Sequence, residues 1–201
     1  MRNYHNLTLY YPNQVTFGKY SINQTVNKVK ASQDILNFYN KGNFDNTYST
    51  QVTLKRNLNE YVMDNGPFEM VSNKKFLDNC YGDVLIIGLG LGMVVYPLLN
   101  DSTITSITIV EIDPEIIGYI GGIIKSNDIN GKVNIVEGDV FEYYKGISRQ
   151  KFDYIYFDYW DRLDEQAYSE MVTITELYSG NLKDENSVIH CWCEDIKTLT
   201  V

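Results

Sequence analysis

The stretch GDVLIIGLGLGM, residues 82–93, decides how this chain is read. Val84 to Ile87 form an apolar run of strand length, and glycines then fall at 88, 90 and 92 before further apolar residues. Alternate glycines directly after a strand leave the main chain bare. A ligand can then approach closely and meet amide donors at the start of the next helix. A tight strand-to-helix turn would ask for the same residues. The dinucleotide fingerprint G-x-G-x-x-G needs a third glycine where Met93 stands, so the spacing here is G-x-G-x-G. The residues that follow the loop must discriminate.

Downstream, a strand–turn–helix rhythm repeats. Val/Ile-rich segments predict strands at 83–87, 106–111, 132–136, 152–157 and 187–193, with helices at 92–99, 114–126, 139–145 and 164–179 between them. Such alternation implies right-handed crossovers and an α/β fold, a Rossmann-like, mostly parallel sheet with helices on both faces. Ligands of these sheets bind beyond the carboxyl ends of the strands. Function is therefore sought just after each strand.

After the second strand, ITIVEIDPE places Glu111 where a carboxylate can accept from both ribose hydroxyls, in a dinucleotide or an adenosyl site. Ile112 can pack on an adenine face. Asp113 before Pro114 reads as a helix N-cap. After the third strand, VNIVEGDVFEYY supplies Asp139, which can accept from an exocyclic amine, and Val140, whose amide can meet a ring nitrogen. Asp139 is equally a helix cap. After the fourth strand, FDYIYFDYWDR puts Asp158 at the carboxyl end, followed by Tyr159, Trp160 and Asp161; Asp153, at the strand start, reads as structural. Cys191 and Cys193 alternate around Trp192 without the further Cys or His that a zinc site needs.

Residues 1–80 read as an N-terminal β-rich extension with one helix, and residues 81–201 as the ligand-binding domain. NLTLYY and VTFGKYS flank Pro12 and Asn13 and predict a hairpin. QTVNKVKASQDILNFYN spaces Val26, Val29, Ile35, Leu36 and Tyr39 as a helix face that Gly42 would stop. STQVTLKRN and NEYVMD predict two strands around a turn at Asn57 to Asn59, and NGPFEMVSNKKF reads as a link.

A net charge of −9 disfavours phosphate-driven nucleic-acid binding and suits neutral or cationic partners. No apolar run approaches the ~18–20 residues of a membrane span. Three cysteines without paired spacing predict reduced thiols and a cytoplasmic setting. Little sequence follows the fifth strand, so the sheet edge is either left open or covered by the N-terminal strands, its own or a neighbouring subunit's, and a homo-oligomer such as a dimer is expected.

Taken together, the G-x-G-x-G loop, Glu111, EGDVFEY and FDYIYFD resemble class I S-adenosylmethionine-dependent methyltransferases. VLIIGLGLG, ITIVEIDPEII and KFDYIYFD are most similar to the spermidine-synthase-like branch, and YVMDNGPFEM resembles its lead-in segment. The resemblance implies S-adenosylmethionine as cofactor. It places Gly88, Gly90 and Gly92 under the ribose and amino-acid tail, Glu111 on the ribose, and Asp139 with Val140 and Ile112 around the adenine. Asp158 falls where polyamine synthases carry the acid that orients and deprotonates the attacking amine, beside Tyr159 and Asp161.

Two departures rank the activities. Leu91 stands where polyamine synthases carry an acid beside the aminopropyl amine, and KKFLDNCYGD lacks their Tyr-His-Glu stretch. The expectation is therefore methyl transfer to a small acceptor, with a cationic amine suiting the local acids. The alternatives are aminopropyl transfer from decarboxylated S-adenosylmethionine, a lyase, or an adenosyl-binding protein without transferase activity. FDYWDR also resembles the strand-four acid of metal-dependent catechol O-methyltransferases, which would make Glu194 and Asp195 oxygen ligands. The rest of that pattern is missing, so no metal is expected.

Overall fold

A computed structural model describes residues 2, 5–28 and 48–194. Two sheets organise them. The first is antiparallel, in the order β1 (Gln14–Phe17), β2 (Tyr20–Lys28), β3 (Tyr48–Arg56) and β4 (Glu60–Asp64). The second is a five-stranded parallel sheet in the order β7-β6-β5-β8-β9. Its strands are β5 (Gly82–Ile87), β6 (Ile104–Glu111), β7 (Val133–Glu137), β8 (Tyr154–Phe157) and β9 (Val188–Cys191). The α/β, Rossmann-like expectation holds.

Both faces of this sheet are covered, which is why its central strands are apolar throughout. Val84 to Ile87 and Tyr154 to Phe157 are all buried. One face packs on α2 (Lys74–Asn79), which follows the short helix α1 (Pro67–Ser72), and on α3 (Tyr96–Leu99) and α4. Helix α4 runs from Pro114–Ile116 through a π-helical segment, Ile117–Gly121, into Gly122–Asn127. Leu7, Tyr11, Ile22 and Leu54 join that same core, so the antiparallel sheet is packed onto the parallel one. The other face packs on α5 (Val140–Gly146) and α6 (Glu165–Tyr178).

The N-terminal third departs from expectation in three places. Leu7–Leu9 form a single 3₁₀ turn rather than a strand, capped by the Asn6 side chain; the hairpin is instead β1–β2, turning at Gly18 and Lys19. Residues 24–28 continue β2 instead of opening a helix, because Gln24 to Lys28 pair with Val52 to Tyr48 of β3. The remainder of that expected helix, with Val29, Ile35, Leu36, Tyr39 and Gly42, lies outside the described residues. The link before the parallel sheet is helical, as α1 and α2, with Pro67 at the first helical position. The β3–β4 turn is where it was expected, with Asn57 and Leu58 at positive φ.

The glycine loop also differs from a simple strand-to-helix turn. No helix begins at residue 92: Gly88, Gly90 and Gly92 have φ of 96°, 48° and 65°, outside the right-handed helical region, and α3 starts only at Tyr96.

Candidate active site

A cleft of about 570 Å³ opens beyond the carboxyl ends of β5, β6, β7 and β8. This is the position the strand order dictates, since the chain runs outward from β5 to β7 and then returns to β8 on the other side. Gly88, Gly90, Glu111, Ile112, Asp139, Val140, Asp158, Tyr159 and Asp161 all line it. Gly92 does not. Its positive φ serves the turn, and an ideal Cβ there would lie 2.6 Å from Ile124 Cδ1 in the core.

Gly88 is bare for a reason local to the fold. An ideal Cβ on it would stand 2.1 Å from the Asp158 carbonyl oxygen, so the loop can pass β8 only as glycine. Gly90 lies against Met63 of β4, whose sulfur accepts from the Leu91 amide at 3.1 Å. Leu91 itself is fully buried and faces the core.

At the next strand end, Glu111 Oε2 accepts from the Leu89 amide and Oε1 from the Asp113 amide, both at 2.9 Å. Each oxygen keeps a second lone-pair direction for a ligand hydroxyl. Burial raises the Glu111 carboxyl above its ordinary range despite these amide bonds. Ile112 beside it is 63% exposed, an apolar surface without an internal partner at the mouth of the cleft. Asp113 does cap α4, accepting from the Glu115 amide, but it also accepts from Tyr20 Oη at 2.9 Å and pairs with Lys19 at 2.5 Å. The Lys19 amide in turn donates to Glu115 at 2.8 Å. The β1–β2 turn is thereby fastened over the end of β6.

Asp139 caps α5 through one oxygen, which accepts from the Phe141 amide at 2.7 Å, and leaves the other oxygen to solvent or ligand. Val140, first in that helix, has an amide of the kind that finds no acceptor within its own helix.

Asp158 is half-buried at the far end of the cleft, and desolvation pushes its carboxyl up to about 7. Tyr159 and Trp160 stack with ring centroids 4.2 Å apart, and both donate to Glu170 of α6, at 3.4 and 3.2 Å. The aromatic wall is thus held rigidly to a helix. Asp161 is exposed and also borders a second, smaller cavity of about 260 Å³ beside α6.

One acid at the site was not singled out from the sequence. Glu69, on α1, lines the cleft, and its carboxyl is raised to about 8 by burial and by the negative charges of Asp158 and Asp64. It escaped notice because α1 is six residues long and its N-cap, Gly66, offers no capping side chain. Trp192, also unassigned, reaches the cleft from beyond β9 and donates to Ser72 at 2.9 Å.

Among the described residues no group of three or more His, Cys, Asp or Glu side chains could hold a metal ion. Glu194 accepts from the Cys191 amide and pairs with Lys75, and Asp195 lies outside the described residues. The three cysteines are buried and unbridged. No described helix is long and apolar enough to cross a membrane.

Comparison with known proteins agrees with this architecture. No curated protein sequence matches the chain. Among solved structures, a candidate methyltransferase, SMU.776, complexed with SAH, superposes with a TM-score of 0.53 at 14% identity, over 71% of this chain and 39% of that one. Spermidine synthase from Thermotoga maritima gives 0.47 at 18% identity, over 66% and 46%. SAH-bound methyltransferase PaMTH1 from Podospora anserina gives 0.46 at 22%, over 60% and 49%. The chain spans about half or less of the length of each of these, and identities this low speak to fold alone. The spermine/spermidine synthase domain model matches residues 69–195, from Glu69 on α1 to just beyond β9. With more than half of its length matched, the chain belongs to the spermine/spermidine synthase domain family, on the class I S-adenosylmethionine-dependent methyltransferase fold.

Proposed function

We propose that the chain is an S-adenosylmethionine-dependent transferase that moves a methyl group to a small acceptor, an amine arriving as a cation. One observation carries the reading. A single cleft has Glu111 and Asp139 at one end and the desolvated acids Asp158 and Glu69 at the other. In this reading Glu111 accepts from the ribose hydroxyls, Ile112 packs on the adenine, and Asp139 with the Val140 amide reads its edge. Gly88 and Gly90 carry the loop's main chain beneath the ribose and the amino-acid tail. When bound, the donor supplies an electrophilic methyl carbon on a sulfonium. Asp158 orients the acceptor nitrogen and takes its proton, which suits an acid whose proton affinity lies near neutrality. Tyr159 and Trp160 wall the acceptor, and Asp161 adds attractive charge at the rim.

Family membership supports aminopropyl transfer as the second reading. Leu91 argues against it, since it is buried and brings no acid to the donor's tail. The deciding experiment identifies co-purifying small molecules by mass spectrometry, then incubates the protein with each sulfonium donor and a panel of amines. S-adenosylhomocysteine as product is expected. 5′-Methylthioadenosine formed from the decarboxylated donor would reverse the ranking. Donor consumption without acceptor would indicate a lyase, and tight binding without turnover an adenosyl-binding protein.

A further inference from the structure

Glu69 alters what Asp158 can do. The two acids come from different elements but are tied to one strand. Tyr156 and Asp158 are two positions apart along β8 and its end, so they share a face of the sheet. Tyr156 Oη donates to Asn73 Oδ1 at 2.6 Å, and Asn73 Nδ2 donates to the Glu69 carbonyl at 2.9 Å and to Glu69 Oε2 at 3.3 Å. Asn73 and Tyr156 are themselves buried. Glu69 is therefore fixed relative to the strand that carries Asp158.

The surroundings do nothing to neutralise the pair. Among the described residues none donates a hydrogen bond to the Asp158 carboxylate. Apart from one arginine, the other titratable groups lining the cleft are acids or phenols: Tyr20 from β2, Tyr61 from β4, Glu111 at the end of β6, Asp113 after it, Asp139 beyond β7, and Tyr159 and Asp161 beyond β8, with Asp64 of β4 also acting on Glu69. Asp64 already accepts from Gln51 and from the Gly66 amide. The one Lys or Arg among the lining residues is Arg56, and Glu60 grips it through both carboxylate oxygens. Two carboxylates in a desolvated cleft without a cation repel one another, and holding one proton between them relieves that repulsion.

We propose that Glu69 and Asp158 act as one carboxyl couple that holds a single proton at neutral pH, with Glu69 the positioning partner for an amine bound against Asp158. The couple stands on the shared cleft and on the Asn73 tether that fixes Glu69 to the strand of Asp158, while its use rests on the amine-transfer reading above. An ammonium entering the cleft supplies the missing positive charge, and the couple releases its proton to solvent. Asp158 then takes one proton from the ammonium, freeing the nitrogen lone pair to attack the methyl carbon. The N–C bond forms as the C–S bond breaks, and its electron pair returns to sulfur, turning the sulfonium into a neutral thioether. The product leaves as a methylated ammonium, and the couple is back in its one-proton state.

The test is a ¹³C NMR titration of side-chain carboxyls in the full chain, which needs neither donor nor acceptor. Glu69 and Asp158 should titrate in two linked steps above the ordinary carboxyl range. In Asp158→Asn the Glu69 midpoint should fall by at least about 1 unit, a tenfold loss of proton affinity, as expected for sites that interact this strongly. In Glu69→Gln, Asp158 should titrate in a single step. Independent midpoints in the ordinary range, or a Glu69 midpoint unmoved in Asp158→Asn, would overturn the couple. Its use is tested by calorimetry of butane-1,4-diamine with S-adenosylhomocysteine-saturated protein, in two buffers of different ionisation heat. About one proton should be released per diamine bound, and Glu69→Gln should abolish that release while still binding S-adenosylhomocysteine. Linked titration with no diamine binding would leave the couple standing and refute the amine acceptor.

Discussion

Gly88→Ala is the sharpest test of how the loop and the acid end of the cleft depend on one another. Gly88 has φ of 96°, and a Cβ there would lie 2.1 Å from the Asp158 carbonyl oxygen, a backbone atom that cannot rotate away. Ordinary contact begins near 3.4 Å, so the end of β8 would have to retreat by more than 1 Å. Backbone strain at such a φ costs about 1–3 kcal/mol, and forcing the atoms apart about as much again. The expected loss in urea unfolding is thus roughly 2–6 kcal/mol, a large part of a typical domain's stability. Because the retreat moves Asp158, turnover of any folded protein should fall by about 10²-fold, the scale for a misplacement of this size. Gly118→Ala is the matched control. Nothing lies within 4 Å of a Cβ at that helical position, so it should be neutral or stabilising by up to about 1 kcal/mol. Gly88→Ala unfolding within about 0.5 kcal/mol of the parent, the spread of innocuous substitutions, would refute the reasoning.

Three further outcomes follow from the site. Glu111→Ala should weaken S-adenosylhomocysteine binding by about 1.5–3 kcal/mol in calorimetry, the range for hydrogen bonds to a charged group; tight NAD binding with no response to S-adenosylhomocysteine would sink the adenosyl reading. Asp158→Asn should leave S-adenosylhomocysteine affinity nearly unchanged while turnover falls about 10²–10⁴-fold, with Asp161→Asn doing less because that acid is exposed. Full turnover in Asp158→Asn would reduce it to a structural residue. Finally, the native state holds protons on Asp158 up to about pH 7 and on Glu69 up to about pH 8, whereas the unfolded chain releases them near pH 4. Their contribution is complete below pH 4 and disappears as pH rises through 7 and 8, so denaturant midpoints should decline across that window and decline less in Asp158→Asn. A parent protein whose midpoint rises from pH 5 to 8 while the variant's does the same would contradict this.

The centre of the parallel sheet was legible because Val84 to Ile87 of β5 and all of β8 are buried on both faces, which leaves no polar alternation to confuse with a helix. Glu111, Asp139 and Asp158 were legible for a related reason: each follows such a strand by zero to two residues. The N-terminal third was not. Residues 24–28 carry no pattern strong enough to choose strand over helix, and nine pairs with β3 make the choice through partners distant in sequence. Leu7 and Tyr11 are both buried, and their spacing fits one turn as well as a strand. Gly92 was misplaced because its spacing matches a ligand loop whether it meets ligand or, as here, the core behind it. Glu69 could have been found only by reading FEMVS as a helix, since its meaning lies in the strand it faces.

The strand order also sets a timetable. Strands β5, β6 and β7 pair with one another within residues 82–137, so the glycine loop, Glu111 and Asp139 can assemble while the chain is still emerging from the ribosome. Strand β8 must then return to β5, where the Asp83 amide meets Asp153 across 70 positions of sequence. Long-range closure of this kind comes late, because the loop entropy is lost before the contacts form. A nascent chain therefore carries Glu111 and Asp139 before it possesses Asp158, and under the adenosyl-binding proposal a nucleoside present during synthesis would steady that half-built sheet while β8 docks.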